Sequence, residues 1–101
     1  MAQPKATEFD RAAIIQHLER YHPQCPEAIK LEVVEVLSKR TWKTPITLGK
    51  AIGVIMTAHV RHQFTAYDDV IRIRGITKLE ALAFVSTEVN RIIAGWRPHR
   101  V

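Results

Sequence analysis

The sequence contains only one cysteine, Cys25, in 101 residues. A single cysteine excludes an intramolecular disulfide and any zinc or iron–sulfur site built from several cysteines. The longest apolar stretch, residues 51–58, is far shorter than the ~20 residues that a membrane-spanning helix needs. The first ten residues contain no hydrophobic segment typical of a secretory signal. We therefore expect a cytoplasmic protein without a membrane partner.

Recognisable catalytic motifs are also absent. The sequence has neither a glycine-rich phosphate loop nor the G-x-S-x-G turn of the serine hydrolases. Cys25 lies between Pro23 and Pro26, and the only helix placed to lower its thiol pKa is one that it would itself precede. We expect no catalytic residue, no metal and no cofactor, and an enzyme is the less favoured class.

The composition is that of an ordinary globular protein, with 47% hydrophobic and 25% charged residues. A chain of this length buries one core and has no room for a second independent module. We therefore predict a single domain over residues 1–101, in which residues 1–6 are flexible and residues 98–101 form a basic tail.

Two helices are predicted in the first half of the sequence. Thr7 and Asp10 have the spacing of a capping box, which predicts a helix over residues 8–21. Pro26 is suited to the first position of a second helix. The valines of this segment favour extended structure, so a strand over residues 31–37 is the alternative.

Three more helices are predicted in the second half. Thr44 would be the N-cap of a helix over residues 45–63. Capping-box spacings recur at residues 65–68 and 77–80, the first opening a short helix that Gly75 ends and the second opening the last helix. The prediction is an all-α domain of about five helices with short loops. Its last two helices would form a helix-turn-helix-like pair over residues 66–95.

Positive charge is concentrated in the C-terminal two-thirds of the chain. Residues 1–37 carry four basic and six acidic side chains, whereas residues 38–101 carry eleven basic and four acidic ones, consistent with the formal net charge of +5. A basic surface attracts polyanions because every phosphate that it neutralises releases counterions. The sequence therefore predicts a partner that is nucleic acid or another polyanion.

The candidate nucleic-acid-binding residues form three groups along the sequence. Trp42 lies among cations and would stack on a base if exposed, while the cations hold phosphates. The alternative is that Trp42 belongs to the core and that basic residues lie at helix ends because the helix dipole favours them there. The candidates are, in the first group, Lys39, Arg40, Trp42 and Lys43; in the second, Arg72, Arg74 and Lys78; and, as the third, Arg97.

A dense polar segment, H-V-R-H-x-x-T-x-Y-D, begins at His59. His59 and His62 are three residues apart and would be neighbours on a helix, so they could hold a metal or phosphate, and Asp68 or Asp69 could supply the third ligand that a divalent metal needs. The apolar surroundings of His59 favour the alternative, a hydrogen-bonded structural histidine. Tyr67 would anchor the segment through its ring and hydroxyl. The cluster of unknown role consists of His59, Arg61, His62, Tyr67 and Asp68.

This motif, followed by Gly75 and a segment from Glu80 to Trp96, resembles an uncharacterised bacterial family, domain of unknown function 2293. The resemblance extends over about residues 22–97. The family pattern has an arginine where this chain has Leu82. Because no activity is assigned to the family, the resemblance implies a shared fold and a shared motif, and no function.

A protein-interaction or homodimerisation domain is the second function class that the sequence supports. Phe84 and Val54 are predicted on the outer faces of the last and the third helix. Apolar side chains left outside the core are available to a partner.

Overall fold

Segments with helical periodicity form five helices in the structure, a computed structural model that describes residues 7–98. The helices are α1 (Arg11–Tyr21), α2 (Glu27–Lys39), α3 (Leu48–Phe64), α4 (Tyr67–Ile71) and α5 (Lys78–Gly95). The all-α prediction is confirmed, and the alternative of a strand over residues 31–37 is wrong because that segment lies within α2. The predicted flexible segment 1–6 and all but the first residue of the predicted tail 98–101 lie outside the described residues.

The predicted starts of α1 and α3 are wrong. Thr7 does not cap α1; its backbone pairs instead with that of Trp42, in hydrogen bonds of 3.0 and 2.9 Å. Thr44 does not cap α3 either, since the Thr47 hydroxyl accepts the backbone N–H of Lys50 at 3.2 Å. Ile46, which lies between Thr44 and Thr47, packs against the core from an irregular segment, so α3 begins one turn later than predicted.

The corner between α3 and α4 also differs from its prediction. The Thr65 hydroxyl accepts the backbone N–H of Tyr67 at 3.2 Å and donates to the carbonyl of Arg61 in the last turn of α3. The N-cap position of α4 is Ala66, which has no side chain to cap it, so the predicted Thr65–Asp68 capping box is wrong. Only two residues separate α3 from α4, and the Thr65 hydroxyl is already bonded to the last turn of α3.

The connection from α4 to α5 is a turn followed by a full capping box. The predicted end of α4 at Gly75 is wrong, because the C-cap is Arg72 and Gly75 lies three residues further on. Gly75 has φ of 90°, a conformation that side chains disfavour, in a turn closed by a 3.1 Å hydrogen bond. The predicted capping box at Thr77 and Glu80 is confirmed, with both of its hydrogen bonds at 3.1 Å.

α3 is the central helix, in contact with each of the other four. The side chains of α3 that face them are fully buried: Ala51, Ile52, Met56 and Val60. At the ends of the bundle, the Gln24 N–H donates to the Trp96 carbonyl at 3.1 Å and so joins the α1–α2 loop to the end of α5. Across residues 7–98, no helix is both long and apolar enough to cross a membrane.

Replacement of the confirmed cap tests its contribution to stability. Thr77→Ala should lower the free energy of unfolding by about 1 kcal/mol, because the backbone N–H of Glu80 loses its acceptor. The hydrogen bonds from Thr77 hold the pKa of Glu80 below its usual 4.5. The part of this advantage that comes from the Glu80 carboxylate should therefore be present above pH 4.5 and be lost as the pH falls through the lowered pKa, whereas the part that comes from the Thr77 hydroxyl should not change with pH.

Urea denaturation at several pH values measures the difference, with Thr87→Ala as the matched control. Thr87 is exposed in the interior of the same helix, so its loss should change stability by less than about 0.5 kcal/mol. Equal destabilisation by the two substitutions would show that the cap is unimportant.

Candidate nucleic-acid interface

Most cations in the C-terminal part of the protein have no acidic partner. Of the ten lysines and arginines among residues 38–98, only Lys39 has a carboxylate within 4 Å, the Glu35 Oε2 at 3.3 Å. The nine without one in the described chain are Arg40, Lys43, Lys50, Arg61, Arg72, Arg74, Lys78, Arg91 and Arg97. Their charges are therefore available to an external anion.

The N-terminal helices, by contrast, use their cations internally. Arg11 of α1 is 2.6 Å from Glu35 of α2. Lys30 is buried, and its Nζ donates to Glu19 at 3.1 Å and to the Pro23 carbonyl at 3.3 Å. Burial alone would lower the pKa of Lys30, but the carboxylate partners outweigh it and raise the pKa. Apart from the Glu35–Lys39 pair, the acidic side chains of this half that pair with lysine or arginine neutralise Arg11 and Lys30, and not the C-terminal cations.

The first predicted group, residues 39–43, is only partly available for binding. Trp42 is half-buried against the core, which favours the alternative that it is a core residue over base stacking by an exposed ring. The guanidinium of Arg40 lies 4.0 Å from the centre of the indole and covers one of its faces. Lys39 is held by Glu35, whereas Lys43 is exposed and has no carboxylate partner in the described chain.

The second predicted group lies on the connection between α4 and α5. Arg72, Arg74 and Lys78 are all exposed within seven residues of chain. The expected helical pair over residues 66–95 is present, but its first helix has five residues and six residues join it to the second. A DNA-binding helix-turn-helix uses a turn of about three or four residues, so the geometry of this connection is different.

Arg97 lies apart from the second group. It follows the C-terminal end of α5, whereas Lys78 begins that helix, and 18 helical residues separate the two ends by roughly 27 Å. Arg97 instead lies near His22 of the α1–α2 loop, whose pKa is lowered by burial and, to a smaller extent, by His17 and Arg97. The predicted residues therefore do not form one continuous patch.

The polar motif forms the corner at which α4 turns away from α3. Tyr67 is only 4% exposed, and the ring of His62 meets it edge-on with centroids 5.3 Å apart. The guanidinium of Arg61 lies 5.4 Å from the centre of the same ring. His62 Nδ1 is 2.7 Å from Asp68 Oδ1. The contact of Tyr67 with histidine is therefore made by the rings, and the motif fixes the angle between the two helices.

The two histidines of the motif have different partners. His59 is turned towards α2, where its Nδ1 is 2.9 Å from Glu32 Oε2, while His62 is turned towards α4. The structural, hydrogen-bonded interpretation of His59 is the one that this geometry supports. Among the described residues no three His, Cys, Asp or Glu side chains come close enough together to hold a metal ion.

Cys25 has the environment of a core residue. Its side chain is buried, and its Sγ is 3.7 Å from the Pro26 carbonyl. Burial raises the pKa of the thiol to about 11, more than the nearby Lys30 lowers it. A thiol with such a pKa is protonated at neutral pH and is a poor nucleophile.

Sequence reasoning assigned no role to a polar stripe on the solvent face of α3. Lys50, Thr57 and Arg61 follow one another at spacings of seven and four residues and lie on the side of α3 that faces away from the core. Asn90 of α5 lies across a groove from Thr57 and Arg61. The spacing within α3 was a signal in the sequence, whereas the proximity of Asn90 was not.

Comparison with known proteins gives one match. A family model described as "Uncharacterized conserved protein (DUF2293)" matches residues 2–97, a longer region than the 22–97 expected from the motif. Neither the curated proteins nor the solved structures yield a match.

The role of the motif as a structural corner can be tested by paired substitutions. Tyr67→Ala should lower the free energy of unfolding by about 3 kcal/mol, because a buried aromatic ring is removed. Asp68→Asn should cost less than about 1 kcal/mol, because both side chains of the His62–Asp68 pair are about half exposed. Chemical denaturation followed by circular dichroism measures both, and a larger effect of Asp68→Asn would contradict this assignment.

Proposed function

The chain belongs to the DUF2293 family of uncharacterised proteins, and from its own surface we propose that it is a small basic module that binds nucleic acid or another polyanion in the cytoplasm. The observation that carries the proposal is the set of nine cations among residues 38–98 that have no carboxylate within 4 Å in the described chain. A surface cation without a carboxylate partner breaks no ion pair when it binds a phosphate, and its binding releases the counterions of that phosphate.

The loop formed by Arg72, Arg74 and Lys78 is the strongest part of this surface. Its three cations are exposed and adjacent in the chain, and Gly75 bends the backbone between them. The cations of such a loop contact phosphates, and phosphate contacts carry no sequence information. Because Trp42 is half-buried under Arg40, base stacking there is not part of the proposal.

Binding measured at several salt concentrations tests the proposal. The wild type should bind random-sequence duplex DNA, single-stranded DNA or RNA at low salt, with affinity that falls steeply as salt rises. The triple variant R72Q/R74Q/K78Q should bind more than tenfold more weakly. Its log–log salt slope on duplex DNA should be shallower by about 0.9 for each phosphate that the variant no longer neutralises.

A charge-matched control separates this loop from net charge. R11Q/R20Q/K39Q removes the same three charges from the α1–α2 side, where Arg11 and Lys39 are paired with Glu35. It should retain most of the affinity. No binding by the wild type at low salt, or equal weakening in the two triple variants, would rule out the proposed function at this loop.

A second candidate function, self-association or binding to a protein partner, is favoured by exposed apolar residues on α5. Leu79 is 77% and Phe84 is 73% exposed, and Val54 of α3 is 45% exposed. Such side chains mark an interaction site where they form a contiguous patch. A homodimer would use them symmetrically.

Sedimentation at increasing concentration tests the second candidate. The wild type should approach twice the 11.6 kDa of one chain, and Phe84→Ser should remain monomeric because the dimer loses apolar burial. The matched control is Val36→Ser, a change at an exposed valine of α2, which should behave as the wild type does. A wild type that stays monomeric at every concentration would rule out self-association.

A further inference from the structure

Arg61 is a half-buried cation without an acidic partner. No carboxylate of the described chain lies within 4 Å of it, although burying part of a guanidinium usually requires a compensating anion. Its guanidinium is held at 5.4 Å from the centre of the Tyr67 ring, and Tyr67 is itself buried. An arginine ordered in this way loses little further freedom when it binds a ligand.

Arg61 lies at the wall between two depressions. One, with a volume of about 170 Å³, runs between α3 and α5; we call it the Arg61 groove and define it by Thr57, Arg61, Leu82, Ser86 and Asn90, with valines at its base. The other is a wider and more open depression along the outer face of α3, which Lys50, Thr57 and Arg61 line. Thr57 and Arg61 belong to both.

The charges around these depressions are all of one sign. Lys50 and Arg61 are the charged residues that line them, and no aspartate or glutamate of the described chain does. The groove between α1 and α2 is different, since Glu19 and Glu27 line it beside its cations. The surroundings of Arg61 are therefore complementary to an anion.

We propose that the Arg61 groove binds a phosphodiester group of a nucleic-acid strand. The planar guanidinium presents a fork of N–H donors that matches two phosphate oxygens. Asn90 offers an amide donor on the opposite wall, while Ser86 already donates its hydroxyl hydrogen to the Ala83 carbonyl at 3.0 Å and is left as an acceptor. The apolar base of the groove suits the carbon atoms of a sugar.

The size of the groove favours a phosphate and its sugar over a whole cofactor. Pockets for small molecules have volumes of about 300–1,000 Å³, and the Arg61 groove is smaller. Lys50, three turns or roughly 16 Å of helix away on the same face, is placed to meet a phosphate further along the same strand. This inference rests on the proposed function and adds a second, more enclosed contact to the exposed loop around Gly75.

The test compares single substitutions in the full chain, with a fluorescently labelled single-stranded oligonucleotide as the probe. Arg61→Gln should weaken binding about tenfold and lower the salt slope. Arg61→Lys should have an affinity between those of Arg61→Gln and the wild type, because lysine keeps the charge but lacks the forked N–H donors of the guanidinium. Asn90→Leu should weaken binding without any change in charge. Arg20→Gln removes an exposed arginine of α1, which belongs neither to the groove nor to the nine unpaired cations, and should change the affinity less than threefold.

Thermal unfolding of each variant establishes that it is folded, since Arg61 also contacts Tyr67. Nuclear magnetic resonance of the wild type supplies a second readout, in which the Arg61 Nε–H and the Asn90 side-chain amide should shift on addition of the oligonucleotide. These shifts do not depend on the stability of any variant.

The outcomes separate the groove from the general function. If the wild type binds the oligonucleotide and R72Q/R74Q/K78Q lowers the affinity while Arg61→Gln and Asn90→Leu do not, the phosphodiester site in the Arg61 groove is ruled out and the proposed function stands. If the wild type binds no nucleic acid at low salt, both are overturned. If inorganic pyrophosphate shifts the Arg61 and Asn90 signals but the oligonucleotide does not, the phosphodiester assignment is wrong.

Discussion

Burial of one side of α3 against four other helices is the constraint on which the arrangement of the surface depends. Ala51, Ile52, Met56 and Val60 are fully buried along that side, so the rotation of α3 about its own axis is fixed. Residues on the opposite side lie outside the core, and these include Lys50 and Arg61. The core therefore determines which cations are presented together, although none of them belongs to it.

The corner at Tyr67 connects that core to the candidate site. Its ring fills the space between α3 and α4, and both Arg61 and His62 lie against it. One buried side chain thus serves two purposes, since it fixes the angle between the helices and holds a cation at the mouth of a groove. This explains why the polar segment of the sequence contains residues that look functional and yet have structural contacts.

The fold was predictable where its signals are local. The capping box at Thr77 and Glu80 depends only on residues three apart, and it is present as the sequence predicts. Thr44 failed as a cap because Ile46 packs against the core from outside the helix, which is a tertiary effect. Arg72 and Arg74 were candidates because of their charge, but the sequence predicted them within a helix that Gly75 ends, whereas the structure ends that helix at Ile71. The Arg61 groove could not be identified from the sequence, because it forms only where α5 lies beside α3. The periodicity within one helix does not indicate which other helix packs against it.

The position of Cys25 has a consequence for following the motions of this protein. It is 3% exposed and lies in the α1–α2 loop, which the Gln24–Trp96 hydrogen bond joins to the end of α5. A thiol reagent therefore reaches the sulfur only when that junction separates, and the rate of alkylation reports how often it does so. With no second cysteine in the sequence, every modified molecule records the same opening event, without any engineered label.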